Sequence, residues 1–146
     1  MFQIATTKHI DGILGLMREF YLAEGYPFDE TVARSALEEL IGNPELGEIW
    51  VATEGDEVVA YIAVTFGFSF EYGGRDAFID ELVVAPAHQG QGLGTKGLAV
   101  AEAICRTAGV RALLLEVERG KDNARRLYEK SGFVEHSRYL LMKPLA

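Results

Sequence analysis

Cysteine, histidine and long apolar runs are scarce in this chain, and each shortage removes a class of protein. The single cysteine, Cys105, leaves no internal disulfide and suits a cytoplasmic setting. The three histidines, His9, His88 and His136, are scattered without metal-ligand spacing, so no metal site is expected. Apolar runs fall short of the ~20 residues that span a bilayer, and the first residues lack the basic-then-apolar pattern of a secretory leader. No membrane association is expected. Basic residues are few in the first 85 positions, 4 against 16 acidic ones, and the whole chain carries a net charge of −8. That balance argues against nucleic-acid binding. There is no internal repeat, low-complexity tract or linker.

What remains is an ordinary globular composition, 49% hydrophobic and 25% charged over 146 residues. That length suits a single domain able to bury a core without staples. Charge is split along the chain. Residues 86–146 hold 10 basic and 6 acidic residues, against the acidic first part. An anionic cofactor on the later part and a cationic substrate facing the earlier part would fit this split. Acidic residues that merely solvate the N-terminal helices would fit it too.

Hydrophobic periodicity orders the elements. A short strand at Phe2–Ala5 leads to a helix capped at Thr7, with Ile10, Ile13, Leu14, Met17 and Phe20 on one face. A second helix capped at Asp29 runs to Asn43-Pro44. Strands at 48–53 and 57–70 form a hairpin around Glu54-Gly55-Asp56. The second alternates, with Val58, Ala60, Ile62 and Val64 on one face. Ala77–Ala85 is the next strand. A helix follows, then a near-continuous apolar strand at 112–117 and a short helix capped at Asp122 or Asn123. Strands at 133–135 and 139–143 complete the sheet. The order β-α-α-β-β-β-α-β-α-β-β is a mixed α+β fold.

Between the 77–85 strand and its helix lies Gln89-Gly90-Gln91-Gly92-Leu93-Gly94. Three glycines in six residues let a backbone approach a ligand, and a helix N-terminus points free N–H groups at it. A phosphate group is the expected guest. The nucleotide P-loop needs Gly-Lys-Ser/Thr, whereas here Thr95 precedes Lys96. Gly92 to Gly97 fits a dinucleotide pattern with Glu116 as the ribose acid. However, Pro86 to Gly90 separate the loop from its strand, and about 30 residues remain after Glu116, too few for such a domain.

The same loop resembles the Gln/Arg-x-x-Gly-x-Gly/Ala segment of the GNAT superfamily of acetyl-CoA-dependent N-acetyltransferases. Further on, Asn123 to Phe133 resembles that family's second block, Asn-x-x-x-x-x-Tyr-x-x-x-Gly-Phe. The resemblance covers the element order from about residue 2 to 143. It implies a mixed, mostly antiparallel sheet with a splayed central strand pair and about four helices.

It also implies the roles of particular residues. Acetyl-CoA would be the co-substrate. Gln89, Gly90, Gln91, Gly92, Leu93, Gly94 and Thr95 would cradle its pyrophosphate. The backbone of Leu82, Val83 and Val84 would pair with pantetheine, and Asn123 would contact the cofactor. Tyr128 would protonate the leaving thiolate, a task suited to a phenol of pKa about 10. Ile79-Asp80-Glu81-Leu82 resembles the acidic segment of glucosamine-phosphate and diamine acetyltransferases, in which the first acid contacts the acceptor amine. Asp80 is therefore the first candidate to receive the amine and Glu81 the second. Strand neighbours point to opposite faces, so only one of the two is expected at the substrate. An ion pair with Arg75 is the competing role for Glu81.

Tyr21, Tyr26, Phe28 and Tyr72 are candidate pocket aromatics. With the acidic residues around them they favour a cationic amine, either a small molecule or a lysine-bearing peptide. The expected activity is direct acetyl transfer in a ternary complex. A binding or sensing module that holds acyl-CoA without turnover is the alternative. Pairing of the 139–142 strand with a second copy, giving a homodimer, also stays open.

Overall fold

The computed structural model describes residues 1–146 and divides into two units, 1–116 and 117–146. In the first, strands β1 (Phe2–Ile4), β2 (Gly47–Glu54), β3 (Glu57–Ser69), β4 (Gly74–Val84) and β5 (Ala112–Leu115) form one sheet in that order. The first four are antiparallel neighbours and β5 lies parallel to β4. A parallel step needs a long crossover, and helix α3 (Leu93–Thr107) supplies it. Helices α1 (Ile10–Glu24) and α2 (Glu30–Gly42) fill the gap between β1 and β2. No helix is long and apolar enough to cross a membrane.

The helix starts follow their caps. The Asp29 side chain accepts the Val32 N–H at 3.1 Å and so opens α2. Before α1, the chain turns through a short 3₁₀ helix at Thr7–His9 whose cap is Thr6, not Thr7. There His9 Nδ1 accepts the Thr6 N–H at 3.0 Å. Burial and then the Lys8 charge hold the His9 pKa below its ordinary value. In α3, Leu98, Ala101, Ile104 and Cys105 face the sheet. Gly97 sits so close to it that a Cβ there would lie 2.9 Å from the Leu82 side chain.

β3 is buried on both faces from Val58 to Val64, so simple alternation does not describe it. Tyr61, Ala63 and Val83 join the core under α1, while Ile62 and Leu82 meet α3. Val58 also belongs to the α1 core, not to the face of Ile62. The ladder explains this. Ala52 pairs with Ala60 and Thr53 with Val58, leaving Val59 extra and reversing the alternation beyond it.

The second unit holds α4 (Asp122–Lys130). Its cap position is Lys121, and neither Asp122 nor Asn123 caps it through a side chain. Residues 133–146 form no helix or strand, so the two expected final strands are absent. Val134, Tyr139 and Leu141 are 87–89% exposed. Sequence pattern marks a segment suited to extension, but a strand exists only where a ladder partner takes up its N–H and C=O groups. These segments have no such partner.

Candidate active site

Two features of β4 build the site. The first is a bulge. Ala63 pairs with Glu81 and Val64 with Ile79, so Asp80 is an extra residue with no partner on β3. A bulge breaks the alternation of faces. Asp80 and Glu81 therefore line the same cavity, against the expectation that only one could face a substrate. The second is an open edge. β4 pairs with β5 only from Asp76 to Ile79. Beyond the bulge, Leu82, Val83 and Val84 pair with β3 alone, and no strand takes up the side towards β5.

Glu81 is held by two phenols. Tyr21 Oη donates to its Oε2, and Tyr61 Oη donates to its Oε1 at 2.8 Å. Burial pushes the Glu81 pKa up, the two hydrogen bonds pull it back in part, and the Asp80 charge adds to the rise. Burial first, then the bonds to and charge of Glu81, push both phenols well above the ordinary tyrosine range. Both therefore remain neutral donors. Arg75 takes no part, because it donates to the Ala108 carbonyl at 3.2 Å and lies 4.7 Å over the Phe66 ring. Tyr61 is absent from the sequence-based candidates. Its signal was available as the one hydroxyl inside the apolar run Val58–Val64, where burial demands a partner.

The cavity encloses ≈ 540 Å³ between α1, α2 and the sheet. Tyr21 and Phe28 line it, whereas Tyr26 and Tyr72 do not. Tyr26 stands edge-on to Tyr21 with centroids 5.8 Å apart and so backs the wall. Tyr72 lies in the β3–β4 turn, where its carbonyl accepts from Arg111 Nε at 2.8 Å. Alternation and neighbourhood in sequence cannot separate a wall from its support.

The glycine loop is the second candidate part of the site in the first unit. Gly90 and Gly92 take φ of 78° and 83°, a region open to glycine at little cost. Gly92 caps α3, and the first helical bond runs from the Lys96 N–H to the Gly92 carbonyl at 3.0 Å. The amides of Leu93, Gly94 and Thr95 are thus left without helical acceptors. No atom lies within 4 Å of a Cβ built on Gly90 or Gly92, so the space beside the loop is open. Gln89 Nε2 donates to the Val84 carbonyl at 3.2 Å and ties the loop to the end of β4. His88 Nε2 meets Glu54 Oε2 at 2.6 Å.

In the second unit, Asn123 Oδ1 accepts from Arg126 Nη1 at 3.1 Å. Tyr128 is half-buried, edge-on to Phe133 at 6.2 Å, and burial raises its pKa.

The family described as Acetyltransferase (GNAT) matches residues 13–133. An aminoalkylphosphonate N-acetyltransferase of Salmonella typhimurium strain LT2 is 29% identical over 136 residues, covering 92% of this chain and 86% of that protein. An integron cassette protein from the mobile metagenome of Cole Harbour Salt Marsh has the same fold, with a TM-score of 0.89 and 39% identity. The alignment covers 99% of this chain and 90% of that one. A predicted acetyltransferase from Clostridium acetobutylicum, solved with acetyl-CoA, aligns with a TM-score of 0.83 at 19% identity over 98% and 95% of the two chains.

Proposed function

The chain belongs to the GNAT acetyltransferase family, which uses acetyl-CoA as co-substrate, and from that premise we propose that it acetylates a primary amine seated between Asp80 and Glu81. The family match runs from residue 13 to 133, so we read both units as parts of one catalytic domain.

The observation that carries this reading is the Tyr21–Glu81–Tyr61 cluster at a cavity, on a strand that β5 pairs only as far as Ile79. An amine arrives as an ammonium ion and must lose a proton before it can attack. Asp80 is exposed and its carboxylate can receive the cation. Glu81 is the better base, because burial raises its proton affinity while two hydrogen bonds fix both oxygens. The proton moves from the amine to Glu81. In this reading Asp80 keeps the amine contact that the sequence segment gives it, and Glu81 takes the proton.

The residues present suit coenzyme A. The free amides of Leu93, Gly94 and Thr95, with the open space beside Gly90 and Gly92, fit a pyrophosphate. The open edge at Leu82, Val83 and Val84 fits the amides of pantetheine. When bound, acetyl-CoA supplies the activated acetyl thioester. A backbone N–H near Leu82 is our candidate for steadying the oxyanion. Tyr128 Oη is our candidate donor of the proton that the departing sulfur takes up. That role rests on its sequence block, and burial keeps the phenol protonated.

The Salmonella relative is described as acting on aminoalkylphosphonates. No Lys, Arg or His lines the cavity here, so nothing in it would pair with a phosphonate.

Release of coenzyme A thiol across a panel of amines tests the activity, and Glu81→Gln should lower kcat/KM at least a hundredfold. Acetyl-CoA binding with no release for any amine would instead identify a binding module.

A further inference from the structure

Resting on the acetyltransferase reading above, we propose that the acceptor is a lipophilic primary amine, a single ammonium group on an apolar alkyl or aralkyl body with no anionic group. The cavity of ≈ 540 Å³ is far larger than an ammonium ion beside two carboxylates requires, and it lies within the range of small-molecule sites. Its walls are apolar, including Met17, Phe28, Leu37, Leu40 and Ile49. The few polar groups are mostly committed. The Tyr21 and Tyr61 hydroxyls both donate to Glu81. Asp29 caps α2 through the Val32 N–H.

Each competing acceptor class would leave something unpaired. An aminoglycoside would bury hydroxyl groups against aliphatic walls, at a cost for each one left without a partner. A polyamine could set a second ammonium on Asp29, but its further ammonium groups would lie among the same walls. A phosphonate or carboxylate would meet three carboxylates, Asp29, Asp80 and Glu81, and no cation. The arginines of α1 and α2 do not supply one, since Arg18 is paired with Glu30 and Arg34 with Asp11 at 2.8 Å. A lysyl side chain offers only four methylenes before a polar peptide backbone, and would leave much of the apolar volume empty. An apolar body fills it, with each buried methylene worth about fourfold in affinity.

The test measures thiol release with n-alkylamines from propyl to hexyl, phenethylamine, spermidine, an aminoglycoside, a lysyl peptide and 2-aminoethylphosphonate. The expected result is a kcat/KM that climbs about threefold to fourfold per methylene, with hexylamine and phenethylamine well above the polar acceptors. Ala36→Lys, which places a cation on the cavity lining, should narrow the gap between hexylamine and 2-aminoethylphosphonate at least tenfold. Turnover that is flat with chain length, or best with any of the four polar acceptors, would overturn the proposal and leave the acetyltransferase reading standing. Thermal shift with the amines alone separates the two failures. If no amine is turned over, the enzymatic reading falls, and a melting temperature that rises with alkyl length still supports a lipophilic amine site. No such rise would overturn both.

Discussion

Replacing Tyr61 by phenylalanine removes one donor from Glu81 and little else. The ring is fully buried and its shape is kept, so the fold should survive, as thermal unfolding can verify. The lost bond is the 2.8 Å contact to Oε1. A hydroxyl donating to a carboxylate favours the charged form, so its removal pushes the Glu81 pKa in the same direction as burial does. Hydrogen bonds to charged groups contribute about 1.5–3 kcal/mol. Glu81 borders a cavity that admits water, so the lower end applies, and about 1.5 kcal/mol corresponds to about one pH unit. The base must be deprotonated to accept the amine proton. Activity is therefore lost as pH falls through its pKa, and a raised pKa brings that loss on at higher pH. The acid limb of kcat/KM in Tyr61→Phe should move up by about one pH unit, with the rate well above it nearly unchanged. Profiles that superimpose on the parent, or an acid limb that persists in Glu81→Gln, would refute Glu81 as the base.

Three other predictions address separate parts of the chain. Tyr128→Phe should lower kcat at least tenfold with little change in the KM for acetyl-CoA, in steady-state kinetics with both substrates varied. Gly92→Ala puts a side chain on a residue at φ 83°; about 1–2 kcal/mol of stability should be lost in denaturant unfolding, and the KM for acetyl-CoA should rise. His9 is held below its ordinary value of 6.5, so below pH 6.5 the unfolded chain takes up the proton first. Stability should fall as pH drops from 6.5 through the folded pKa, and His9→Gln should flatten that slope in melts at several pH values.

Most of the first unit was legible because its signals are local. Asp29 marks a helix start, Glu54-Gly55-Asp56 a hairpin, and the glycines of 89–94 a turn with left-handed residues. The candidate carboxylates were legible as residue types on the correct strand. Their shared orientation was not, since alternation is a local rule and the bulge at Asp80 arises from pairing with β3. The same holds for Val58, displaced by the extra Val59. For Tyr61 the need of a partner was legible, but not which partner. Its partner lies 20 residues away, and only the fold brings them together. The segments at 133–135 and 139–143 show the reverse error, in which apolar pattern promised strands that no ladder provides.

Asp80 occupies a place in β4 that the ladder does not count. The residues on either side, Ile79 and Glu81, already pair with neighbouring residues Val64 and Ala63. A chain lacking Asp80 would keep that register, and Glu81 would still share a face with Tyr61. What would go is the kink beside which β5 stops pairing, so a straightened β4 could run on against β5 and close the edge proposed for pantetheine. The position is thus an insertion tolerated by the sheet and, in the proposed function, useful only to the chemistry. Deleting this residue should leave a protein at least as hard to melt and unable to hold its acetyl donor, whereas Asp80→Ala should keep the donor and weaken the hold on the amine.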